Sequence, residues 1–252
     1  MNKFIKNPFA RKQKGAASVL CILFLTYWVV NAQPKLIWDF PVQPGTEEWN
    51  NLKTEKERVA AIQVPDKILA KATTEELVLL AVSFPLFGYY SAFNTPQDGF
   101  NIMLSRFNII QSLFSKDHLV GKHLISIYKD AGMDGFEKTP VGIDFWTLRL
   151  HFVELLLSQP EIISAMTTSE KCDLLMETKK KIYQKSNSEA FSSYSSISLT
   201  AFIMVRVLDN EKMLDNENAE TKEFLRTGSL ESFELIEEIS NAADIFIKNN
   251  QK

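Results

Sequence analysis

Three arginines lie among apolar residues at helical spacing, which makes them the strongest candidates for chemistry in this sequence. The residues three and four positions from Arg106 and from Arg149 are all apolar, so neither arginine has a charge partner on its own helix. Arg206 has similar surroundings, although Asp209 follows within reach. A guanidinium presents a planar set of donors that suits carboxylates and other anions. We expect either an anion-binding site or structural ties to distant acids or carbonyl groups, because an unpaired buried guanidinium is costly.

Polar residues next to these helices extend the candidate set. The loop of residues 94–99 offers Asn94, Gln97 and Asp98 to a ligand, but its residues also suit the start of a helix. Gln111 shares a face with apolar residues and is predicted to be a buried polar group that needs a partner. The predicted ligand-binding set comprises Arg106, Arg149, Arg206, Asn94, Gln97, Asp98 and Gln111. Arg106 and Arg149 are further predicted to approach one acidic or carbonyl-rich centre.

Residue types that could catalyse a reaction or bind a metal do not form a recognisable set. His151 and Glu154 share one helix face, but no second copy of the motif exists, so we interpret them as part of a solvated polar face. A loop beginning at Asp130 lacks the acidic twelfth ligand of a calcium site, because Val141 occupies that position. Cys172 is interpreted as a packing residue. We predict no catalytic residues, no metal and no cofactor.

Helices must position these side chains. Apolar residues recur every three or four positions through most of the chain, and no alternating strand pattern of any length occurs. Capping boxes at Thr73–Glu76 and Thr167–Glu170 begin two of the helices. The sequence predicts an all-α fold of about ten helices. Two architectures stay open, an irregular orthogonal bundle and an armadillo-like or HEAT-like helical array.

The first 32 residues have the order of a secretory signal. Five basic residues precede an apolar run over residues 16–30, and the small residue Ala32 follows. The run of 15 is short for a membrane span, although an uncleaved signal anchor is the alternative. We predict a signal over residues 1–32, an extended proline-rich segment over 33–45 and one helical domain over 46–252. The protein is expected in the periplasm, the cell envelope or the secreted fraction.

Charge then limits the partners. The whole chain has a net charge of −3, and without the five basic residues of the signal it becomes −8. Such a surface does not favour phosphate backbones or anionic lipids, so we expect no nucleic acid and no membrane contact beyond the signal. One cysteine remains in the exported part, which excludes an internal disulfide.

Several short stretches resemble an uncharacterised group of exported bacterial all-helical proteins, mainly over residues 38–115. The resemblance lies in Trp38-Asp39-Phe40-Pro41, Thr73-Thr74-Glu75-Glu76-Leu77, Ala92-Phe93-Asn94 and Ser105-Arg106-Phe107-Asn108. It implies export and a helical fold, and it carries no activity. We therefore expect a binding or interaction protein with a protein or peptide partner. The alternative is an envelope enzyme with a dispersed site of arginine, histidine and glutamate that acts on an anionic substrate.

Overall fold

A computed structural model describes residues 37–131, 142–188, 191–214 and 218–250. Within these ranges the protein is all-helical and contains no strand, as predicted. The α-helices are α1 Glu47–Asn51, α2 Glu55–Ala61, α3 Asp66–Leu69, α4 Thr74–Val82, α5 Pro96–Arg106, α6 Asn108–Phe114, α7 Leu119–Asp130, α8 Gly142–Leu157, α9 Pro160–Ala165, α10 Thr168–Ser186, α11 Tyr194–Asn210, α12 Ala219–Thr227 and α13 Glu234–Asn250. A 3₁₀ helix, Phe87–Ala92, lies between α4 and α5.

Side-chain caps explain where several helices begin. Both predicted capping boxes form: Thr73 accepts from the Glu76 amide, Thr167 accepts from the Glu170 amide, and each glutamate bonds back to its threonine. Thr54 makes a third capping box at the start of α2. The sequence from Thr46 to about Ile62 predicts one polar helix. The Thr54 cap divides it into α1 and α2.

Apolar residues at three- and four-residue spacing from Phe100 to Phe114 predict one helix. The structure interrupts this helix at Phe107, whose backbone is extended. Distant hydrogen bonds hold the interruption open. The Asn108 amide donates to the Gln63 side chain at 2.9 Å, and the Asn108 side chain accepts from the Val64 amide at 3.0 Å. The acidic, asparagine-rich stretch 209–220 predicts a solvated loop, and Ser229 is the predicted start of the last helix. The structure instead has α12 over Ala219–Thr227, and the last helix begins at Glu234.

Helix α11 forms the centre of the domain. Nearly all of its residues from Ser196 to Leu208 are buried, and it packs against α8, α9, α10, α12 and α13. In a stack of helical pairs each unit contacts only its neighbours. A central helix with partners throughout the second half of the chain favours the irregular bundle over the helical array.

Two glycines allow close approaches between elements that line a cavity. A Cβ on Gly99 in α5 would overlap the backbone carbonyl of Tyr90, so α5 and the 3₁₀ helix pack directly against each other. Gly228 ends α12 with a φ of 71°, and a Cβ there would lie 3.0 Å from the Phe202 ring. The 3₁₀ helix and residues 228–230 both contribute to the wall of one cavity.

Candidate functional site

A cavity of about 760 Å³ that opens to solvent lies among the described residues. Its walls come from the 3₁₀ helix, the start of α5, the middle of α8, the start of α11 and the segment after α12. The lining residues are Tyr90, Ser91, Phe93, Pro96, Thr147, Leu148, His151, Ser193, Ser195, Ser198, Leu199, Gly228, Ser229 and Leu230. Both hydroxyl groups and apolar side chains line this surface, and none of the described lining residues is Asp, Glu, Lys or Arg.

His151 is the lining residue with the most unusual environment. Its side chain is 7% exposed, and its Nε2 lies 3.0 Å from the Ser196 hydroxyl. Burial lowers the pKa of His151 well below the ordinary value, and the positive charge of nearby Lys185 lowers this pKa further. His151 is therefore an uncharged imidazole at neutral pH.

Tyr90 is the second titratable group in the wall. Burial raises the pKa of its phenol, and the charge of Glu154 adds to the increase. Tyr90 therefore stays protonated at neutral pH. Both titratable residues of the described lining are held in their uncharged forms.

A buried charged cluster lies directly behind this wall. We use this name for Glu154, Lys185, Tyr128 and Thr200, together with the Ser196 carbonyl. The Lys185 ammonium lies 3.0 Å from each carboxylate oxygen of Glu154, and both side chains are fully buried. Burial lowers the pKa of Lys185, and the Glu154 carboxylate opposes this effect.

The other members of the cluster satisfy the remaining polar atoms of this ion pair. The Thr200 and Tyr128 hydroxyls donate to Glu154 at 2.7 Å and 3.0 Å, and Lys185 donates to the Ser196 carbonyl at 3.0 Å. Ser196 thus links the two regions, because its hydroxyl contacts His151 and its carbonyl contacts Lys185. The cluster joins α7, α8, α10 and α11, which makes it a structural tie between four helices.

A second buried lysine extends this polar interior. Lys181 is 1% exposed, donates to the Ala131 carbonyl at 2.7 Å and lies 3.4 Å from the Glu177 carboxylate. Its ammonium also lies 4.7 Å from the centre of the Tyr128 ring. Two lysines of α10 therefore have buried partners instead of solvent.

The prediction that His151 and Glu154 lie on a solvated polar face was wrong. They do share one face of α8, but that face is buried against α7, α10 and α11. The burial of Lys185 and Lys181 was not predicted from the sequence. Their spacing does indicate it, because both lysines continue the three- and four-residue spacing of the buried residues Leu174 and Thr178.

The structure does not bring Arg106 and Arg149 to a common acidic centre. Arg106 pairs with Glu55 and donates to the Tyr89 hydroxyl at 2.7 Å in a partly exposed position. Arg149 is exposed, and its guanidinium lies 5.3 Å from the ring centres of both Phe87 and Phe145. The contacts of the two arginines have no residue in common, so the hypothesis of a shared centre was wrong. Neither arginine lines the cavity.

Two predicted site residues do meet. The Gln97 side chain is buried, donates to Gln159 at 3.1 Å and to Asn101 at 2.9 Å, and lies 3.5 Å from an Arg206 terminal nitrogen. The Arg206 guanidinium also lies 4.8 Å from the Phe202 ring centre, while its Nε has no hydrogen-bond partner among the described residues. This group fixes α5 against α9 and α11 and has no place in the cavity lining.

The remaining predicted residues have local roles. Asn94 and Asp98 are exposed, and Thr95 caps α5 by accepting from the Asp98 amide at 3.1 Å. Gln111 is exposed and donates to the Ser105 carbonyl at 3.2 Å, so its predicted burial was wrong. The interruption at Phe107 rotates α6 relative to α5, which accounts for this difference.

Cys172 is buried, and burial raises the pKa of its thiol. Most of the loop considered for calcium, residues 132–141, and the predicted signal lie outside the described residues. The described ranges hold no group of three or more histidine, cysteine, aspartate and glutamate side chains that could bind a metal ion. They also hold no helix with the length and apolar character needed to span a membrane.

Comparisons with known proteins give no assignment. No family model matches the sequence, no curated protein matches it, and no solved structure matches the fold.

Proposed function

We propose that this protein is a binding module and that the cavity between α8 and α11 receives an uncharged segment of a protein or peptide partner. The observation that carries the proposal is the lining itself, which combines hydroxyl groups with apolar walls and has no described charged residue. Its volume of about 760 Å³ lies within the range of about 300–1,000 Å³ that is typical of ligand sites.

A peptide segment suits this lining chemically. Each peptide group has one donor and one acceptor, and a serine or threonine hydroxyl can serve either of them. Ser195 and Ser229 supply such hydroxyls at the cavity, and the lining residue Ser193 also uses its hydroxyl to cap α11 by accepting from the Ser196 amide. Apolar side chains of the same segment would pack against lining residues such as Leu148, Leu199 and Leu230.

The positions of the charged residues support binding over the alternative of an enzyme that acts on an anionic substrate. Such a site would need Arg106, Arg149 and His151 or Glu154 around one pocket. His151 alone among these residues lines the cavity, while Glu154 is occupied by Lys185 behind the wall.

Export stays part of the proposal and rests on the sequence of residues 1–32. Mass spectrometry of the protein isolated from its native cells would test it. A mature N-terminus at Gln33 is expected. An intact N-terminus in a fraction retained inside the cell would contradict export.

Selection from a library of displayed random peptides tests the binding function. The bait is the full chain, and Ser195→Trp is the blocking variant because Ser195 is an exposed lining residue at the cavity mouth. Ser164→Trp is the matched control, since Ser164 is an exposed serine of α9 outside the lining. Enriched peptides should bind at least about tenfold more weakly to Ser195→Trp and equally well to Ser164→Trp, a change of about 1.4 kcal/mol. A failure to enrich peptides, or equal binding to both variants, would contradict the proposal.

A further inference from the structure

The cavity contrasts with the rest of the chain in its charge. The sequence contains 28 basic and 31 acidic residues, but none of them is among the described residues of the cavity wall. His151 and Tyr90 could each become charged, but burial disfavours the charged form of both. The described part of the wall is therefore uncharged, although Ser196 connects it to the Lys185–Glu154 pair.

The geometry behind the wall explains why the nearby charges do not reach the cavity. Lys185 and Glu154 contact each other through two 3.0 Å distances, so their charges largely compensate within the cluster. The Ser196 carbonyl accepts from Lys185, and the Ser196 hydroxyl contacts His151. Among titratable and charged groups, Lys185 acts on His151 electrostatically, Glu154 is the ion-pair partner of Lys185, and Tyr90 lines the same cavity.

We infer that the cavity selects uncharged ligand groups and rejects carboxylates, phosphates and ammonium groups. The inference rests on the proposed function in that the cavity is the binding site. A charged group that enters must lose hydration and finds no opposite charge in the described wall. An uncharged group of similar shape loses less hydration and finds hydroxyl and imidazole partners.

A pair of dyes tests the inference on the full chain. N-phenylnaphthylamine and anilinonaphthalene sulfonate share one ring system, and a sulfonate makes the second an anion. The uncharged dye should bind at least about tenfold more tightly. This ratio should change little as the pH falls through the ordinary histidine pKa of 6.5, because burial holds the pKa of His151 well below that value. The variant His151→Gln should give a similar ratio, since glutamine has no charge at any pH.

Each other outcome decides between the inference and the proposed function. Equal binding of both dyes would overturn the inference. So would tighter binding of the sulfonate on acidification in the native chain but not in His151→Gln. If neither dye binds, or if Ser195→Trp binds both as well as Ser164→Trp does, the cavity is not a binding site and both proposals fail. If the dyes bind as expected but the selection enriches no peptide, the proposal of a peptide partner is contradicted and the selectivity for uncharged groups is supported.

Discussion

The cavity and the buried charged cluster lie on two sides of the same pair of helices, α8 and α11, and differ in almost every physical respect. The cavity is open, and its described lining consists of hydroxyl and apolar groups without Asp, Glu, Lys or Arg. The cluster is closed to solvent and contains a full ion pair with hydrogen bonds from several helices. His151 and Ser196 form the boundary between them.

This difference separates stability from binding. The paired charges of the cluster have their hydrogen-bonding positions occupied within the protein, so they do not bind a ligand. The cluster instead affects the stability of the fold. Ser195 and Ser229 of the cavity wall are at least partly exposed, so their hydroxyls contribute less to folding than the buried hydroxyls of the cluster. Substitutions in the cluster should therefore change the free energy of unfolding, and substitutions in the cavity should change binding.

The largest expected effect is that of Lys185→Met. This change leaves the Glu154 carboxylate buried without its cation, so we expect a loss of about 3–5 kcal/mol in unfolding free energy. Denaturant unfolding measures the loss. The double variant Lys185→Met with Glu154→Leu removes both charges and should recover most of the stability. A double variant as unstable as the single one would show that the cluster does not act as a compensated pair.

The next effect is that of Thr200→Val, which preserves shape and removes one hydrogen bond to the carboxylate. Hydrogen bonds to charged groups contribute about 1.5–3 kcal/mol, so a loss of this size is expected in denaturant unfolding. Thr147→Val in the cavity is the matched control and should cost less, because Thr147 is half-buried. Equal losses at both positions would remove the distinction between the two regions.

His151 gives a pH-dependent effect at the boundary. Its pKa in the folded protein is well below 6.5, whereas in the unfolded chain it is ordinary, so the unfolded state binds the extra proton. The stability that the neutral ring contributes is present above about pH 6.5 and is lost as the pH falls toward the folded pKa. Relative to His151→Gln, the native chain should lose up to about 1.4 kcal/mol per pH unit below pH 6.5. Parallel stability curves of the two proteins from pH 7 to pH 5 would contradict this account.

The smallest effect is expected outside both regions, for Arg106→Leu. Arg106 and Glu55 are 34% and 62% exposed, and exposed ion pairs contribute about 0–1 kcal/mol. Thermal and denaturant unfolding should change little, and dye binding to the cavity should not change. If Arg106→Leu lowered the unfolding free energy as much as Lys185→Met, solvent exposure would not explain the different contributions of the Arg106–Glu55 and Lys185–Glu154 ion pairs.

The sequence was informative where structure depends on neighbours along the chain. The capping boxes at Thr73 and Thr167 and the all-helical class follow from local spacing, and they are present in the structure. The interruption at Phe107 depends on hydrogen bonds from Asn108 to Val64 and Gln63, which lie 44 and 45 residues earlier, so local periodicity could not predict it.

The candidate site was predicted poorly for the same reason. The face of α8 with His151 and Glu154 was identified, but its burial depends on Lys185 and Thr200, 31 and 46 residues away from Glu154. Arg106 and Arg149 were predicted to be site residues because their own helices offer them no charge partner. Tyrosine, phenylalanine and distant glutamate side chains satisfy them instead.

The most direct test of the central claim is a crystal structure of the full chain soaked with N-phenylnaphthylamine. We expect electron density for the dye between α8 and α11, in contact with Leu148 and Leu230, with the Lys185–Glu154 pair unchanged behind it. Ordered dye elsewhere on the molecule beside an empty cavity would contradict the claim that this cavity is the binding site.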